Sequence, residues 1–190
     1  MKLLFISIAL CLINSLCIAS SKNEINMNSK FDTFKGTKSE VKIHFLGHAS
    51  LMIENNGKVY HIDPWSKMCD YSNLPKADVI FVTHEHFVHY DKDLMKQLLK
   101  ENTKIITTAT VAEDFGKSPA VTVLANGDTT LEGDVKVEAV PAYNIVHKHE
   151  AGPYHPKGRG NGYLLSIDDL RIYIAGDTEN VPELKALSDI

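Results

Sequence analysis

Six of the nine histidines in this 190-residue chain fall in two short stretches. The first, Thr83-His84-Glu85-His86-Phe87-Val88-His89, follows the apolar run Val79-Ile80-Phe81-Val82. Side chains two apart in an extended segment share a face, so His84 and His86 point the same way. His89 follows as the chain turns toward a helix. Three imidazoles at the carboxyl end of a buried strand can converge on one divalent cation. Imidazole suits zinc, and manganese and iron accept it as well. The plainer alternative, an incidental surface cluster, is weakened by the buried strand that leads straight into it. The second stretch runs from Tyr143 to Gly162 and holds Asn144, His147, His149, His155, Lys157 and Arg159. A Gly/Pro-rich loop of this kind forms a lid or pocket wall. One of its histidines could complete a metal shell, and Lys157 or Arg159 could hold an anionic substrate group. His147 and His149 read more simply as solvated loop residues. Asp177, in Ala175-Gly176-Asp177-Thr178 after another apolar strand, offers a hard oxygen ligand or a bridging carboxylate. Gly-Asp pairs also make ordinary turns.

These residues need a frame. Val41, Ile43 and Phe45 alternate with Lys42 and His44, Ala49, Leu51 and Ile53 continue the pattern, and Asn56-Gly57 marks a tight turn before Lys58–Asp63. That is a β-hairpin or meander. Val79–Val82 does not alternate, which suits a strand buried on both faces. Leu94, Met95, Leu98 and Leu99 then fall at helical spacing, with Asp91 placed to cap the helix. A strand over 104–108 and a short helix ending near Gly116 follow. Further short strands are separated by Asn126-Gly127, Gly133-Asp134 and Asp168-Asp169, and a final helix over 181–188 carries Pro182 in its first turn. The order predicts a mixed α/β (α+β) fold with a large antiparallel component.

Composition narrows the function classes. A chain that is 44% hydrophobic and 23% charged is globular rather than disordered or fibrous. A net charge of −4 gives no basic footprint, so nucleic acid is not an expected partner. Residues 1–19 place Lys2 before an apolar run that ends in Cys17-Ile18-Ala19, the pattern of a secretory signal, with an N-terminal membrane anchor as the competing reading. With cleavage after Ala19 no stable membrane span is expected. Cys11 and Cys17 leave with the signal, so Cys69 has no intrachain partner and reads as a small packed residue. Residues 20–40 are polar and without periodicity, and are read as a linker before a domain over 41–190. Trp65, Tyr71 and Tyr154 could line the mouth of a site, although aromatics near strand ends are more often packing.

Five segments in order, Leu46-Gly47-His48-Ala49-Ser50-Leu51, Ile62-Asp63-Pro64-Trp65, Thr83–His89, Val140–Asn144 with His155-Pro156-Lys157-Gly158, and Ala175–Thr178, carry a resemblance to the metallo-β-lactamase fold superfamily. The similarity is to its metal-dependent hydrolases, including the ascorbate-phosphate lactonases and the N-acyl-phosphatidylethanolamine phospholipase D type. It implies an αββα sandwich with metal at one edge between the sheets. It also implies hydrolysis of a small-molecule ester, lactone or phosphodiester by a metal-bound hydroxide. His84 and His86 match ligands of a first metal, His89 a ligand of a second, and Asp177 the bridging, catalytic carboxylate. The loop ligand falls on Asn144 or His155, and imidazole favours His155. Asp63 matches a residue that orients a ligating ring, and His48 lies in a motif near the site.

Two departures qualify the resemblance. Val88 stands where the family motif has an aspartate, and Val has no lone pair to offer. The family pattern also continues past Ile190 with further strands, a helix and one more histidine. A second site reduced to His89 and Asp177 is too sparse to hold an ion tightly, so one firmly bound divalent metal is expected rather than two, zinc being the foremost choice. Absent strands and helix would leave an open sheet edge, for which a homo-oligomer is one expected cover. A degenerate member that binds metal or ligand without turnover is the alternative to the hydrolase.

Overall fold

The computed structural model describes residues 31–187, except residues 117 and 119. The expected signal over 1–19 lies outside the described residues. Strands β1 (Phe31–Lys35), β2 (Glu40–Gly47), β3 (Ser50–Asn55), β4 (Lys58–Ile62), β5 (Val79–Phe81), β6 (Lys104–Thr107) and β7 (Val121–Val123) form a seven-stranded sheet in that order. β1 to β4 are antiparallel, and β4 to β7 run parallel. β8 (Thr129–Glu132), β9 (Val135–Ala142), β12 (Gly160–Ile167) and β13 (Leu170–Ile174) make a four-stranded antiparallel sheet in the order β13-β12-β9-β8. A two-residue ribbon, β10 (Lys148–His149) with β11 (Gly152–Pro153), stiffens the loop between β9 and β12.

The alternation seen in the sequence is what joins the sheets. Val41, Ile43, Ile53, Tyr60, Ile62 and Phe81 face Val137, Ala139, Tyr163, Leu165 and Ile167 across one apolar core. Tyr163 donates to the Val82 carbonyl at 2.9 Å, and its ring lies 5.4 Å from that of Phe81. A second core lies on the other face of the larger sheet. There Met52, Ile80, Val82 and Ile105 pack against Leu94, Met95 and Leu98 of α1 (Lys92–Leu98) and Val111 of α2 (Ala109–Phe115). β5 serves both cores, which is why its run does not alternate. Asp91 caps α1 by accepting from the Leu94 amide at 3.0 Å. Among the described residues the layers run helix, sheet, sheet.

Three expectations change. Residues 31–35, read as part of a polar linker, form the edge strand β1, paired over Phe31–Lys35 with His44–Glu40. Backbone pairing needs no apolar periodicity, and none of the five residues is buried. The expected final helix is a 3-10 helix over Pro182–Leu187 with no buried residue, since six residues without an apolar face do not sustain an α-helix. Tyr71, a candidate for the site's mouth, is 7% exposed and belongs to the helix-side core.

Candidate metal centre

The site forms where the carboxyl ends of β4 and β5 meet the starts of β12 and the segment after β13. Leaving β5, Thr83 presents its carbonyl to the Asn161 amide at 2.9 Å, which ties this exit to the smaller sheet. His84 follows, and a turn in which the His89 amide donates to the His86 carbonyl at 2.8 Å brings His89 back beside it. The His84 ring centre lies 4.6 Å from that of His86, 4.2 Å from His89 and 5.1 Å from His155. One donor atom from each of His84, His86, His155 and Asp177 lies within 4.8 Å of all the others.

Hydrogen bonds fix which ring nitrogens are free. The Thr83 hydroxyl donates to Asp63 Oδ2 at 2.7 Å, so only its lone pairs face His84 Nδ1 at 3.0 Å. His84 therefore carries its proton on Nδ1 and offers Nε2 as a bare lone pair. His89 Nδ1 donates to the same carboxylate at 2.8 Å, which turns its Nε2 toward Asp177. Both Nε2 atoms are buried without a hydrogen-bond partner, and they lie 3.8 Å and 3.3 Å from the Asp177 carboxylate. On the loop, Asn144 Oδ1 accepts from His155 Nδ1 at 2.6 Å. His155 Nε2 is left facing His86 Nδ1 at 3.2 Å and Asp177 Oδ2 at 3.2 Å. Since His155 Nε2 is an acceptor, this contact needs either a proton on His86 Nδ1 or a cation between the two nitrogens. A tetrahedral cation with bonds of about 2.0–2.1 Å spaces its ligands by about 3.4 Å. The residues present therefore fit a divalent metal.

Electrostatics agree with this chemistry. Burial and the adjacent His89 hold His84 down at about 3, despite the Asp177 charge. Burial also lowers His155. Both rings are thus neutral near pH 7, as ligands must be. The His89 ring beside it holds Asp177 down at about 2 against its partial burial. Burial pulls His89 down, but Asp177 and Asp63 outweigh it and hold it up at about 9.

Asp63 is 1% exposed, sits at a φ of 42°, and also accepts from the Thr83 amide at 2.8 Å. The glycine before Asp177 is equally constrained. Gly176 has a φ of 61°, and a Cβ there would lie 3.0 Å from the Asn161 carbonyl oxygen and 3.1 Å from Thr83 Cβ. Only glycine lets the chain pass this close and still deliver Asp177.

The structure sorts the remaining candidates. His48 lies beside the cluster, its ring centre 5.4 Å from that of His89 and 5.6 Å from that of Trp65. Asn144 stands behind His155 rather than among the converging atoms. Lys157 and Arg159, expected to face an anionic substrate group, are each taken by a carboxylate. The Lys157 ammonium lies 2.5 Å from Glu183 Oε1 and over the Tyr143 ring, and Arg159 pairs with Glu85. A cation in reach of a fixed carboxylate is neutralised there, which composition alone does not reveal. Val88 is half-buried in the turn between His86 and His89. Cys69 is a free thiol packed against the helix-side core, and burial pushes its pKa up, which keeps it inert. Thr83 and Glu179 went unnoticed in the sequence. The only signal for Thr83 was its place directly before His84.

The chain belongs to the β-lactamase superfamily domain family, whose profile matches residues 42–190. A UPF0173 metal-dependent hydrolase of Archaeoglobus fulgidus is 30% identical over 158 residues, covering 79% of this chain and 67% of that protein. One from Thermococcus kodakarensis is 34% identical over 145 residues, with 73% and 62% covered. Among solved structures, a protein of Parabacteroides distasonis assigned as a metal-dependent hydrolase is 42% identical, with a TM-score of 0.78 over 83% of this chain and 70% of its own. The metallo hydrolase Igni18 of Ignicoccus hospitalis shares the fold at 21% identity and a TM-score of 0.62, with 79% and 66% covered. The chain thus spans about two thirds of the length of its curated relatives. Its family is that of metal-dependent hydrolases with a metallo-β-lactamase-like fold.

Proposed function

We propose that this chain is a secreted metal-dependent hydrolase that cleaves a small-molecule ester, lactone or phosphodiester. The convergence of His84, His86, His155 and Asp177 donor atoms within 4.8 Å carries the reading. Those four residues hold one divalent ion firmly, zinc by the chemistry of the donor set. A cation bound there supplies a water of lowered pKa and polarises the carbonyl or phosphoryl oxygen under attack. The chain's own part is to hold and steer. Asp63 and Thr83 keep the His84 and His89 rings turned so that Nε2 faces inward. Asp177 directs Oδ2 toward the His84 and His155 imidazoles and Oδ1 toward His89 Nε2, so one oxygen would face the ion while the other pairs with the His89 ring. His89 bridges Asp63 and Asp177 and steadies the Asp177 carboxylate rather than holding a second tight metal, because Val88 supplies no oxygen beside it.

Export through the segment 1–19 accompanies this reading and rests on its n-region, apolar run and small residues before Ser20. No described helix is long and apolar enough to cross a membrane. N-terminal sequencing of the exported chain is expected to begin at Ser20, and an intact Met1 would overturn export by cleavage.

The activity is tested by metal analysis of the purified chain together with a panel of chromogenic esters, lactones and phosphodiesters. One ion per chain and turnover abolished by His84→Ala are expected. A second reading, a metal-binding member without turnover, is favoured by one observation, the apolar Val88 in the metal-binding turn. Bound metal with no turnover on the panel, gained on Val88→Asp, establishes it instead.

A further inference from the structure

We propose that Glu179 is the positioning residue of the loop half of the site, acting through Asn144 to set the direction in which His155 presents Nε2. The inference rests on the reading of the cluster as a metal centre. Glu179 lies two residues after Asp177, yet its carboxylate does not face the cluster. It gathers the first turn of the β9–β12 loop instead. Oε2 accepts from the amides of Ile145 at 2.9 Å and Val146 at 2.7 Å. Oε1 accepts from the His147 amide at 2.8 Å, His147 Nδ1 at 2.6 Å and Asn144 Nδ2 at 3.2 Å. In return the Glu179 amide donates to the Tyr143 carbonyl at 3.0 Å.

The contact with Asn144 decides the outcome. A carboxylate only accepts, so it holds the Nδ2 side of the Asn144 amide and turns Oδ1 the other way. Oδ1 then accepts from the His155 amide at 3.1 Å and from His155 Nδ1 at 2.6 Å. With its proton committed to Nδ1, His155 can offer only Nε2, and that atom faces His86 and Asp177. Glu179, Asn144 and His155 thus form a chain in which each partner leaves the next one choice. Glu183 secures the same loop nearby, accepting from the Tyr143 hydroxyl at 2.8 Å and pairing with Lys157. Asp177 and the loop histidine are thereby tied to one short stretch of chain.

The experiment uses the full chain and the variants Glu179→Gln, Asn144→Leu, His155→Ala and Glu179→Gln/His155→Ala. Zinc affinity is read by competition with a chelator, ligand geometry by the visible spectrum of bound cobalt(II), and the loop by amide hydrogen exchange at Ile145, Val146 and His147. Glu179→Gln turns one accepting oxygen into a donor against backbone amides. We expect faster exchange, zinc affinity lower by about 10–100-fold, and an altered cobalt spectrum. Asn144→Leu leaves the backbone bonds of Glu179 in place and is expected to give the same loss of affinity without the faster exchange. It also serves should Glu179→Gln not fold. The double variant is expected to bind no more weakly than His155→Ala. Faster exchange with unchanged zinc affinity and cobalt spectrum, or losses that add fully in the double variant, would overturn the inference by reducing Glu179 to a loop staple. A wild-type chain that binds no zinc overturns the metal-centre reading itself, and this inference with it.

Discussion

The two halves of the site are built on the same plan in different surroundings. On the sheet side, Asp63 holds Thr83 and His89, and Thr83 holds His84, with the carboxylate only 1% exposed. On the loop side, Glu179 faces Asn144 and Asn144 holds His155, and the Glu179 side chain is 16% exposed. In each case a carboxylate fixes a polar side chain that in turn fixes an imidazole. The difference is what else depends on the carboxylate. Asp63 lies where water does not replace a lost partner, so the fold itself rests on its bonds. Glu179 orders one loop turn that water can reach. The sheet side therefore rests on buried bonds that water cannot replace, and the loop side on bonds that it can.

The sharpest break of this comparison is Asp63→Ala. It strands the His89 imidazole and two Thr83 donors in the interior, and denaturant unfolding is expected to show a loss of about 3–5 kcal/mol. A loss no larger than that of Glu179→Gln would erase the distinction between the two sides. Next, His84→Ala removes a donor atom outright. Zinc affinity is expected to fall by more than the roughly 10–100-fold that loss of an orienting partner costs, as measured by chelator competition.

Thr83→Val keeps the shape and removes the hydroxyl between Asp63 and His84. It is expected to weaken zinc by roughly tenfold and to cost about 1–3 kcal/mol, because an Asp63 lone pair and His84 Nδ1 are left unpaired. Thr83→Ser should restore both. If Thr83→Val weakens zinc without loss of stability, the sheet side behaves like the loop side. Val88→Asp changes stoichiometry more than stability. Titration is expected to move from one ion per chain toward two, and a titration that stays at one would show that His89 and Asp177 are not placed for a second ion. The smallest effect is expected of Arg159→Met, whose guanidinium is already paired with Glu85. Its KM for anionic substrates is expected to match its KM for neutral ones, relative to wild type, and a selective rise for anions would return Arg159 to the substrate.

Much of the sheet side was legible from the letters. An unbroken apolar run, two histidines two apart and a third at the turn lie within a few residues, so spacing predicts geometry directly. Asp63 is 21 residues from His84, and its place came from family resemblance rather than from spacing. The loop side was legible only in part. His155 was singled out for its imidazole, but its neighbour in space is Asn144, and the residue that holds Asn144 lies 35 positions further on. No periodicity links such residues, because the contact is made by two loops from different strands. The same limit explains Lys157 and Arg159. A cation in a polar loop looks available until the fold places a carboxylate against it. The strand over Phe31–Lys35 was missed for the opposite reason, since an edge strand is held by backbone atoms that every residue type possesses.

Gly176 carries a consequence for how such sites are inherited. It donates nothing to a cation, yet a single added methyl group there would press on Asn161 and Thr83 and displace the aspartate that follows. A lineage that drifts at this one position keeps every donor in its sequence and still loses the centre. The capacity to hold an ion is therefore recorded partly in a residue with no side chain, which a tally of histidines and aspartates does not count.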